Sequence, residues 1–262
     1  MTFKHIISNL ESLPPLSNTA FMIQKLYSRG AKNIDIIKLV RVIEGDAVLA
    51  ANILKMINAP IYGLVLKYAI QEQLKAKTNI YGVDNEKFND ICHLQSTLMM
   101  QWYSKIDLRH AQFLSPLALI METGKLILAK EVMQSNFSKE FTSGYIKSNN
   151  STEFEYRLLD TTTYYLTGLL FEHWNLEPLY VEILKGLDFE SDNSSKVESY
   201  INSLDIVRTA VNLKNVLTDT SIKDACEMVE DIELDVEHFK RVANRVKEQY
   251  GKILKDRVKN IR

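Results

Sequence analysis

The stretch Ser115–Lys130, SPLALIMETGKLILAK, decides the fold of this chain. Its only charged residues before the last position are Glu122 and Lys125. The other positions are small or apolar, and the apolar ones recur at the spacing of a helix, or of a helix and a turn. Such a segment is typical of a protein core, so it predicts a buried or half-buried carboxylate at Glu122. Its large apolar residues include Leu117, Ile120, Met121, Leu126 and Leu128.

The composition favours an all-α protein of ordinary solubility. The 262 residues are 46% hydrophobic and 25% charged, with only nine glycines and five prolines, and alternating β-branched runs are scarce. The 33 acidic and 32 basic residues nearly cancel, which argues against a nucleic-acid coat protein and a membrane-surface protein. We found no signal-peptide pattern and no uncharged apolar run near the ~18 residues of a membrane span. We therefore expect a cytoplasmic protein with reduced thiols at Cys92 and Cys226.

Caps and breakers divide the chain into short helices. Three are expected between Ser17 and Pro60, the third capped by Asp46, and none is long enough to be stable alone, so they should form a bundle. The stretch Ile61–Asn89 is less regular, and Gly82 indicates a turn within it. Helix then resumes from about Phe88 to Ile106.

The second half of the chain is expected to contain longer helices. The polar stretch Ser135–Thr152 is typical of an exposed, mobile excursion. The pattern then predicts one long helix over Glu153–Trp174, a helix from about Lys196 to Leu217, and a helix from Ile222 to the end.

Charge is distributed unevenly in the last part of the chain. Asp219–Glu237 holds eight acids and one lysine, whereas His238–Arg262 holds nine basic residues and two acidic ones. Apolar residues from Phe239 to Val258 follow helical spacing within the basic part, which predicts an amphipathic helix. Its apolar face is expected to pack on the domain with its charges in water. Too few aromatic residues accompany the lysines for a nucleic-acid stacking platform.

Three segments in order resemble the HDOD domain, an all-α relative of the HD phosphohydrolases, and the middle one is Ser115–Lys130. The first consists of LPPLSNTAFMIQKL at Leu13–Leu26 followed by IIKLVRVIEGDAVLAANILKMINAPIYG at Ile36–Gly63, and the last is YYLTGLLFEHWNLEPLYVEIL at Tyr164–Leu184. The resemblance covers roughly Leu13 to Leu217. The family-motif residues that the chain retains include Asp46, Asn58, Gly124 and Trp174.

The same resemblance implies that a metal site has been lost. In HD phosphohydrolases the helix matching Ser115–Lys130 reads roughly LLHDIGKL, and its His-Asp pair binds metal. Here Met121 and Glu122 stand at those two positions, and the family's later histidine falls near Thr163. The resemblance therefore implies a non-catalytic module of bacterial signalling that binds other signalling proteins, with no catalytic residue and no cofactor. We expect a helical bundle over residues 1–90, a degenerate HD-like subdomain over 91–217 and a charged helical extension over 218–262.

The residues themselves leave two alternatives open. None of the five histidines is followed by Asp, and no two share a turn of helix. A divergent phosphohydrolase would require His93, His110 and Glu122 to converge, although the soft thioether of Met121 cannot replace a ligand for a hard cation. Otherwise we expect Glu122 to pair with Lys125, three residues on along the same helical face. A nucleotide-sensing module is the other alternative, with a small nucleotide held by the aromatic residues Tyr156, Tyr164 and Tyr165.

Overall fold

Helices account for nearly all of the secondary structure. The computed structural model describes residues 3–15, 22, 61–188 and 195–260. Within these ranges extended pairing is confined to one antiparallel bridge, between Val211 and Val216. The prediction of an all-α fold is confirmed.

Twelve helices lie in the described ranges, together with two 3-10 turns, Thr78–Tyr81 and Met121–Thr123. In chain order the helices are α1 (Phe3–Glu11), α2 (Ile61–Leu74), α3 (Asn85–Tyr103), α4 (Leu108–Ile120), α5 (Gly124–Met133), α6 (Ser138–Lys147), α7 (Ser151–Leu159), α8 (Thr163–His173), α9 (Pro178–Gly186), α10 (Ser195–Ala210), α11 (Asp219–Asp231) and α12 (Val236–Asn260).

Short polar side chains start several of these helices. In each case the side-chain oxygen accepts a backbone N–H of the first turn, which no carbonyl inside the helix can satisfy. The chain therefore changes direction where such a residue precedes an apolar run. The capping residues are Asp84, Asp107, Asn150, Thr162 and Thr218.

The core is built around α3, α4, α5 and α8. Helix α3 packs along α4, and α5 packs against α8. Helix α12 covers α3, where the ring of Phe239 meets that of Trp102 edge to face at 5.0 Å between centroids. Both side chains are fully buried, so the charged C-terminal region is anchored in the core.

One stretch, Leu108–Met133, is long and apolar enough to cross a membrane by composition alone. It comprises α4, the second 3-10 turn and α5, and 89% of its most apolar window is buried inside the protein. Its apolar character is accounted for by its position in the core.

The prediction of irregular structure over Ile61–Asn89 is wrong in its first half. Helix α2 begins at Ile61, and Gly63 lies inside it. A Cβ atom at Gly63 would lie 3.0 Å from the Cα of Pro116 on α4, so the glycine lets the two helices approach closely. The predicted turn is present, since Gly82 follows the first 3-10 turn with a φ of 75°.

Two further boundaries differ from the predictions. The expected long helix over Glu153–Trp174 is interrupted, because Asp160 adopts a left-handed conformation (φ 56°) and Thr162 caps a new helix, α8. The stretch Ser135–Thr152 is not an exposed excursion throughout. It contains α6, whose Phe141 and Tyr145 are buried beside Tyr81.

The C-terminal helices are shorter than predicted. The helix expected to reach Leu217 ends at Ala210, where the bridge region begins. The helix expected from Ile222 to the end is divided into α11 and α12, because Glu233 adopts a positive φ of 57° between them. The helices predicted between Ser17 and Pro60, with the motif residues Asp46 and Asn58, lie outside the described residues.

Candidate functional site

Met121 and Glu122, which the family resemblance aligns with metal ligands, lie in the turn that joins α4 to α5. Met121, Glu122 and Thr123 form this 3-10 turn, and all three are buried. The turn packs against α8, the helix that begins at Thr163. Sequence positions that are about forty residues apart are thus brought together.

Glu122 accepts three hydrogen-bonding or ionic contacts in the core. Its Oε2 lies 2.9 Å from the Nζ of Lys125, and its Oε1 accepts bonds of 2.9 Å from Gln95 Nε2 and from the hydroxyl of Tyr164. Burial alone would raise the pKa of Glu122, but the charge of Lys125 and these donors outweigh it and hold the pKa below its usual value. The expected pairing of Glu122 with Lys125 is present.

Lys125 is shared between two buried carboxylates. Its Nζ lies 3.7 Å from Oε1 of Glu155 and donates to the hydroxyl of Thr163 at 3.2 Å. Burial disfavours its charge, but Glu122 and Glu155 together raise the pKa of Lys125 well above its usual value. The ammonium group also lies over the ring of Tyr164, 5.4 Å from the centroid.

Glu155 binds the start of α8, at the position where the family carries its later histidine. Its Oε2 accepts the backbone N–H of Thr163 at 2.8 Å, and its Oε1 accepts the Thr163 hydroxyl at 3.0 Å. A carboxylate at a helix N-terminus is favoured by the exposed N–H groups and by the helix dipole. Burial nevertheless raises the pKa of Glu155, against the lowering effects of Lys125 and Thr163.

Gly124 allows α5 and α8 to touch. A Cβ atom at this position would lie 1.9 Å from the backbone oxygen of Thr163, so a side chain cannot be accommodated without moving a helix. The Gly124 N–H donates to Thr167 Oγ1 at 2.8 Å, and this hydroxyl also lies 2.9 Å from the carbonyl oxygen of Met121. The retained motif glycine therefore has a packing role.

A second group of charges also contacts Tyr164. The guanidinium of Arg208 lies 4.4 Å from the centroid of the Tyr164 ring and donates to Asp188 at 2.8 Å. Asp205 also pairs with Arg208, and burial raises the pKa of Asp205 to about 6 in spite of that pairing. The Tyr164 ring thus contacts both Lys125 and Arg208.

The structure does not bring the candidate histidines to Glu122. His93 lies two residues before Gln95 on α3, which places its side chain ~160° around the helix from the group that bonds Glu122. Burial lowers the pKa of His93 to about 3. The His110 ring instead packs edge to face on Tyr200, with 5.0 Å between centroids. In the described residues, no three His, Cys, Asp or Glu side chains lie close enough to hold one metal ion.

The three tyrosines expected to line a remnant cleft do not gather there. Tyr164 is buried in the charged network, whereas Tyr156 is 49% exposed and Tyr165 lies near Phe3, with ring centroids 6.4 Å apart. The motif residue Trp174 lies at the end of α8, where its Nε1 donates to the carbonyl oxygen of Pro14 at 3.0 Å.

Sequence reasoning missed Gln95, Glu155 and Arg208. For Glu155 a signal was present, because it lies four residues before the buried Leu159 and so shares its helical face. A carboxylate on a buried face requires a partner. The partner, Lys125, could not be named from the spacing, because it comes from another helix.

The comparison with family models identifies the N-terminal part of the chain. Residues 13–72 match the model described as the HDOD domain. The resemblance to the HDOD family is confirmed. The HDOD match includes Asp46 and Asn58, whereas Glu122 and its partners lie beyond it. The comparison with curated proteins found no match.

Solved structures share the helical fold of this protein over nearly the whole chain. A virulence factor from Campylobacter jejuni is 20% identical, with a TM-score of 0.62 over 94% of this chain and 96% of its own. A candidate phosphohydrolase from Shewanella amazonensis is 12% identical, with a TM-score of 0.69 over 94% of each chain. A candidate signal transduction protein from Marinobacter aquaeolei is 17% identical, with a TM-score of 0.65 over 93% of this chain and 59% of its own. At these identities the similarity shows the fold.

Proposed function

We propose that this chain is a non-catalytic regulatory module of bacterial signalling that acts by binding other proteins. The observation that carries the proposal is the position of Lys125. Its ammonium group lies between Glu122 and Glu155, beside the residue that stands where HD phosphohydrolases carry a metal ligand. A positive charge supplied by the protein itself balances the buried carboxylates there, as a metal ion would otherwise have to do.

The donors around Glu122 do not suit a catalytic metal ion. A hydrolase needs several imidazole and carboxylate ligands around an ion, with a position left open for water. Here the neighbouring positions carry the thioether of Met121 and the hydroxyl of Thr163, and an ammonium group repels any cation. Both carboxylate oxygens of Glu122 contact protein side chains, so we expect no phosphoester hydrolysis at this position.

A protein-binding role is supported by the fold together with this replacement. Solved structures share the helical fold over 93–94% of this chain, while the charged groups around Glu122 stabilise the core. A candidate signal transduction protein with the same fold fits such a role. The partners we expect are other signalling proteins, recognised through the outer surface of the helices.

Metal content and hydrolysis of phosphoesters test the non-catalytic part of the proposal. Purified protein is analysed for bound iron, manganese and zinc, and is then assayed against bis-p-nitrophenyl phosphate and a cyclic dinucleotide with each metal added. We expect substoichiometric metal and no turnover. Stoichiometric iron or manganese with turnover that Glu122→Gln abolishes would refute the proposal.

The interaction part requires a separate measurement. In-cell photo-crosslinking in the native bacterium, with the probe placed at exposed helix positions, would report direct partners. We expect specific crosslinks to signalling proteins, and these crosslinks should disappear when an excess of the chain without the probe competes for the same partners. A chain that crosslinks to no protein from any exposed helix would contradict the proposed role.

A further inference from the structure

The C-terminal helix extends beyond the helix that covers it. Helix α11 has 13 residues and α12 has 25, so their lengths are about 20 Å and about 37 Å. The two helices pack together after a short turn, and the Lys247–Asp219 ion pair, 2.6 Å long, lies at the first residue of α11. Because α11 begins beside Lys247, the part of α12 that follows Lys247 extends past α11. We call residues 249–260 the α12 tip.

The apolar side of α12 continues into the tip, where it becomes exposed. Val242 and Val246 are each 1% exposed in the first part of the helix. Ile253 lies two turns after Val246 on the same side of the helix, yet it is 49% exposed. Leu254 and Val258, further along the tip, are 40% and 57% exposed. Three large aliphatic side chains thus face water on one short segment.

Two of these side chains face the position that α11 would occupy if it were longer. Leu254 follows Lys247 by two turns and Val258 follows it by three, so both lie on the side of α12 that Lys247 directs at α11. On that side the first part of α12 is covered by a helix. Within the described residues, no helix covers the same side of the tip, and Leu254 and Val258 are exposed there.

The tip is held in place by contacts with α3. The Arg257 guanidinium donates two hydrogen bonds to the carboxylate of Asp90, at 2.6 Å and 2.9 Å, and the hydroxyl of Tyr250 lies 3.2 Å from the same carboxylate. Arg257 also lies 3.1 Å from Glu86. A surface already ordered before a partner arrives loses less conformational entropy on binding.

Charge indicates what would cover the tip. Lys252, Lys255 and Lys259 are exposed there, against Asp256 alone, so the tip is basic. The helix that covers the first part of α12 is acidic and amphipathic: α11 turns Ile222, Ala225 and Val229 inward and carries its acidic residues outside. A second helix of that chemistry would match both the apolar and the basic side chains of the tip.

We propose that the α12 tip docks an acidic amphipathic helix of a partner protein, which continues the layer formed by α11. This inference rests on the proposed protein-binding function and names the surface and the kind of partner. A second copy of the chain that docks through its own tip fits less well, because the basic tips of two copies would repel each other.

The probe is a fluorescent synthetic peptide with the sequence of residues 218–232 carrying Cys226→Ala, titrated with the full chain. Its binding is followed by fluorescence anisotropy, with a scrambled peptide of the same composition as the probe control. We expect saturable binding that the double variant Ile253→Ser/Leu254→Ser weakens at least about fivefold. At low salt, the double variant Lys252→Glu/Lys255→Glu should weaken peptide binding by a larger factor than the serine variant does. The scrambled peptide should not bind, because its apolar residues no longer share a face.

Leu108→Ser is the matched control, since Leu108 is 55% exposed and lies at the start of α4, outside the tip. We expect no change in affinity for this variant. Thermal unfolding of every variant checks that the fold is intact. Absence of saturable binding, or binding that the tip substitutions leave unchanged, overturns the inference.

Other occupants give different signals. Dimerisation that the Ile253→Ser/Leu254→Ser variant abolishes, or binding to anionic lipid vesicles lost in the same variant, would assign the tip elsewhere and overturn the inference. Failure of the proposed function is distinguishable. If the proposed function fails, the purified protein binds metal and turns over phosphoesters, whatever the peptide does. Loss of peptide binding alone leaves the non-catalytic role intact.

Discussion

Lys125 determines whether the charged core of this protein is stable. The ammonium group neutralises Glu122 directly and Glu155 at a longer distance, and all three side chains are at most 5% exposed. Removing one member of a buried ion pair leaves the other charge without compensation, which costs more than the pair itself contributes. The network is therefore more sensitive to substitution at its centre than any surface pair would be.

We expect Lys125→Met to lower the free energy of unfolding by about 3–5 kcal/mol at pH 7, because two carboxylates would remain buried without a counter-charge. The measurement is urea unfolding followed by circular dichroism. The pKa of Lys125 is raised in the folded state, so its stabilising effect is fully present at pH 7 and is lost only as the pH rises through that raised pKa.

Lys130→Met on the same helix is the control for this substitution. Lys130 is only half-buried, so its replacement should change the free energy of unfolding by no more than about 0.5 kcal/mol. Adding Glu122→Gln to Lys125→Met should restore part of the lost stability, since one buried charge is removed. Equal effects of Lys125→Met and Lys130→Met would contradict a central role for the network.

Gly124 offers a test of helix packing at the same site. We expect Gly124→Ala to destabilise the protein by about 3 kcal/mol, because the added Cβ would meet the Thr163 carbonyl oxygen and force α5 away from α8. Gly251→Ala is the matched control. Nothing lies within 4 Å of a Cβ at Gly251, so there the substitution should stabilise α12 by roughly 0.5–1 kcal/mol. Thermal and urea unfolding of both variants measure the contrast.

At the scale of single elements, the break between α7 and α8 positions the site. The left-handed turn at Asp160 lets α8 begin at Thr163, where its first N–H groups face the carboxylate of Glu155. In a continuous helix those N–H groups would donate to carbonyl groups of the preceding turn, so they would not be available to Glu155. Helical periodicity alone predicted the continuous helix, because the apolar spacing continues across the break.

We expect substitutions at Asp160 to follow the conformational cost of its positive φ. Asp160→Gly should keep or raise the stability by up to about 1 kcal/mol, whereas Asp160→Val should lower it by about 1–2 kcal/mol, since a β-branched residue tolerates this conformation poorly. Unfolding in urea gives both values. A valine variant as stable as the glycine variant would show that the turn can reorganise without cost.

The sequence predicted those features that depend on neighbouring residues. The Glu122–Lys125 pair is three residues apart on one face, and Gly82 follows a short turn, so local rules were sufficient for both. The other contacts of Glu122 could not be predicted in this way, because Gln95 and Tyr164 come from helices far apart in the chain. Residues that can cap a helix are recognisable in the sequence. Tertiary packing, however, determines that Thr162 starts a helix and that α6 buries Tyr145.

At the scale of the whole molecule, stability and recognition are assigned to different regions. The centre of the helical fold holds charges that pair with one another, while α12 runs from the core at Phe239 to the exposed tip. The tip contributes little to the core, since its aliphatic side chains remain in water. It can therefore change in sequence, or bind a partner, without disturbing the buried network.

The attachment of the tip to α3 provides a test of this separation. We expect Arg257→Met to increase amide hydrogen exchange over residues 250–260, because the two hydrogen bonds to Asp90 are lost and the tip then frays more often. The Arg257 side chain is 40% exposed, so the free energy of global unfolding should fall by no more than about 1 kcal/mol. Lys259→Met, whose side chain is 78% exposed, should leave exchange in the tip unchanged. If Arg257→Met lowered protection throughout α3 and α11 as well, the tip would be part of the cooperative core, and recognition could not be separated from folding.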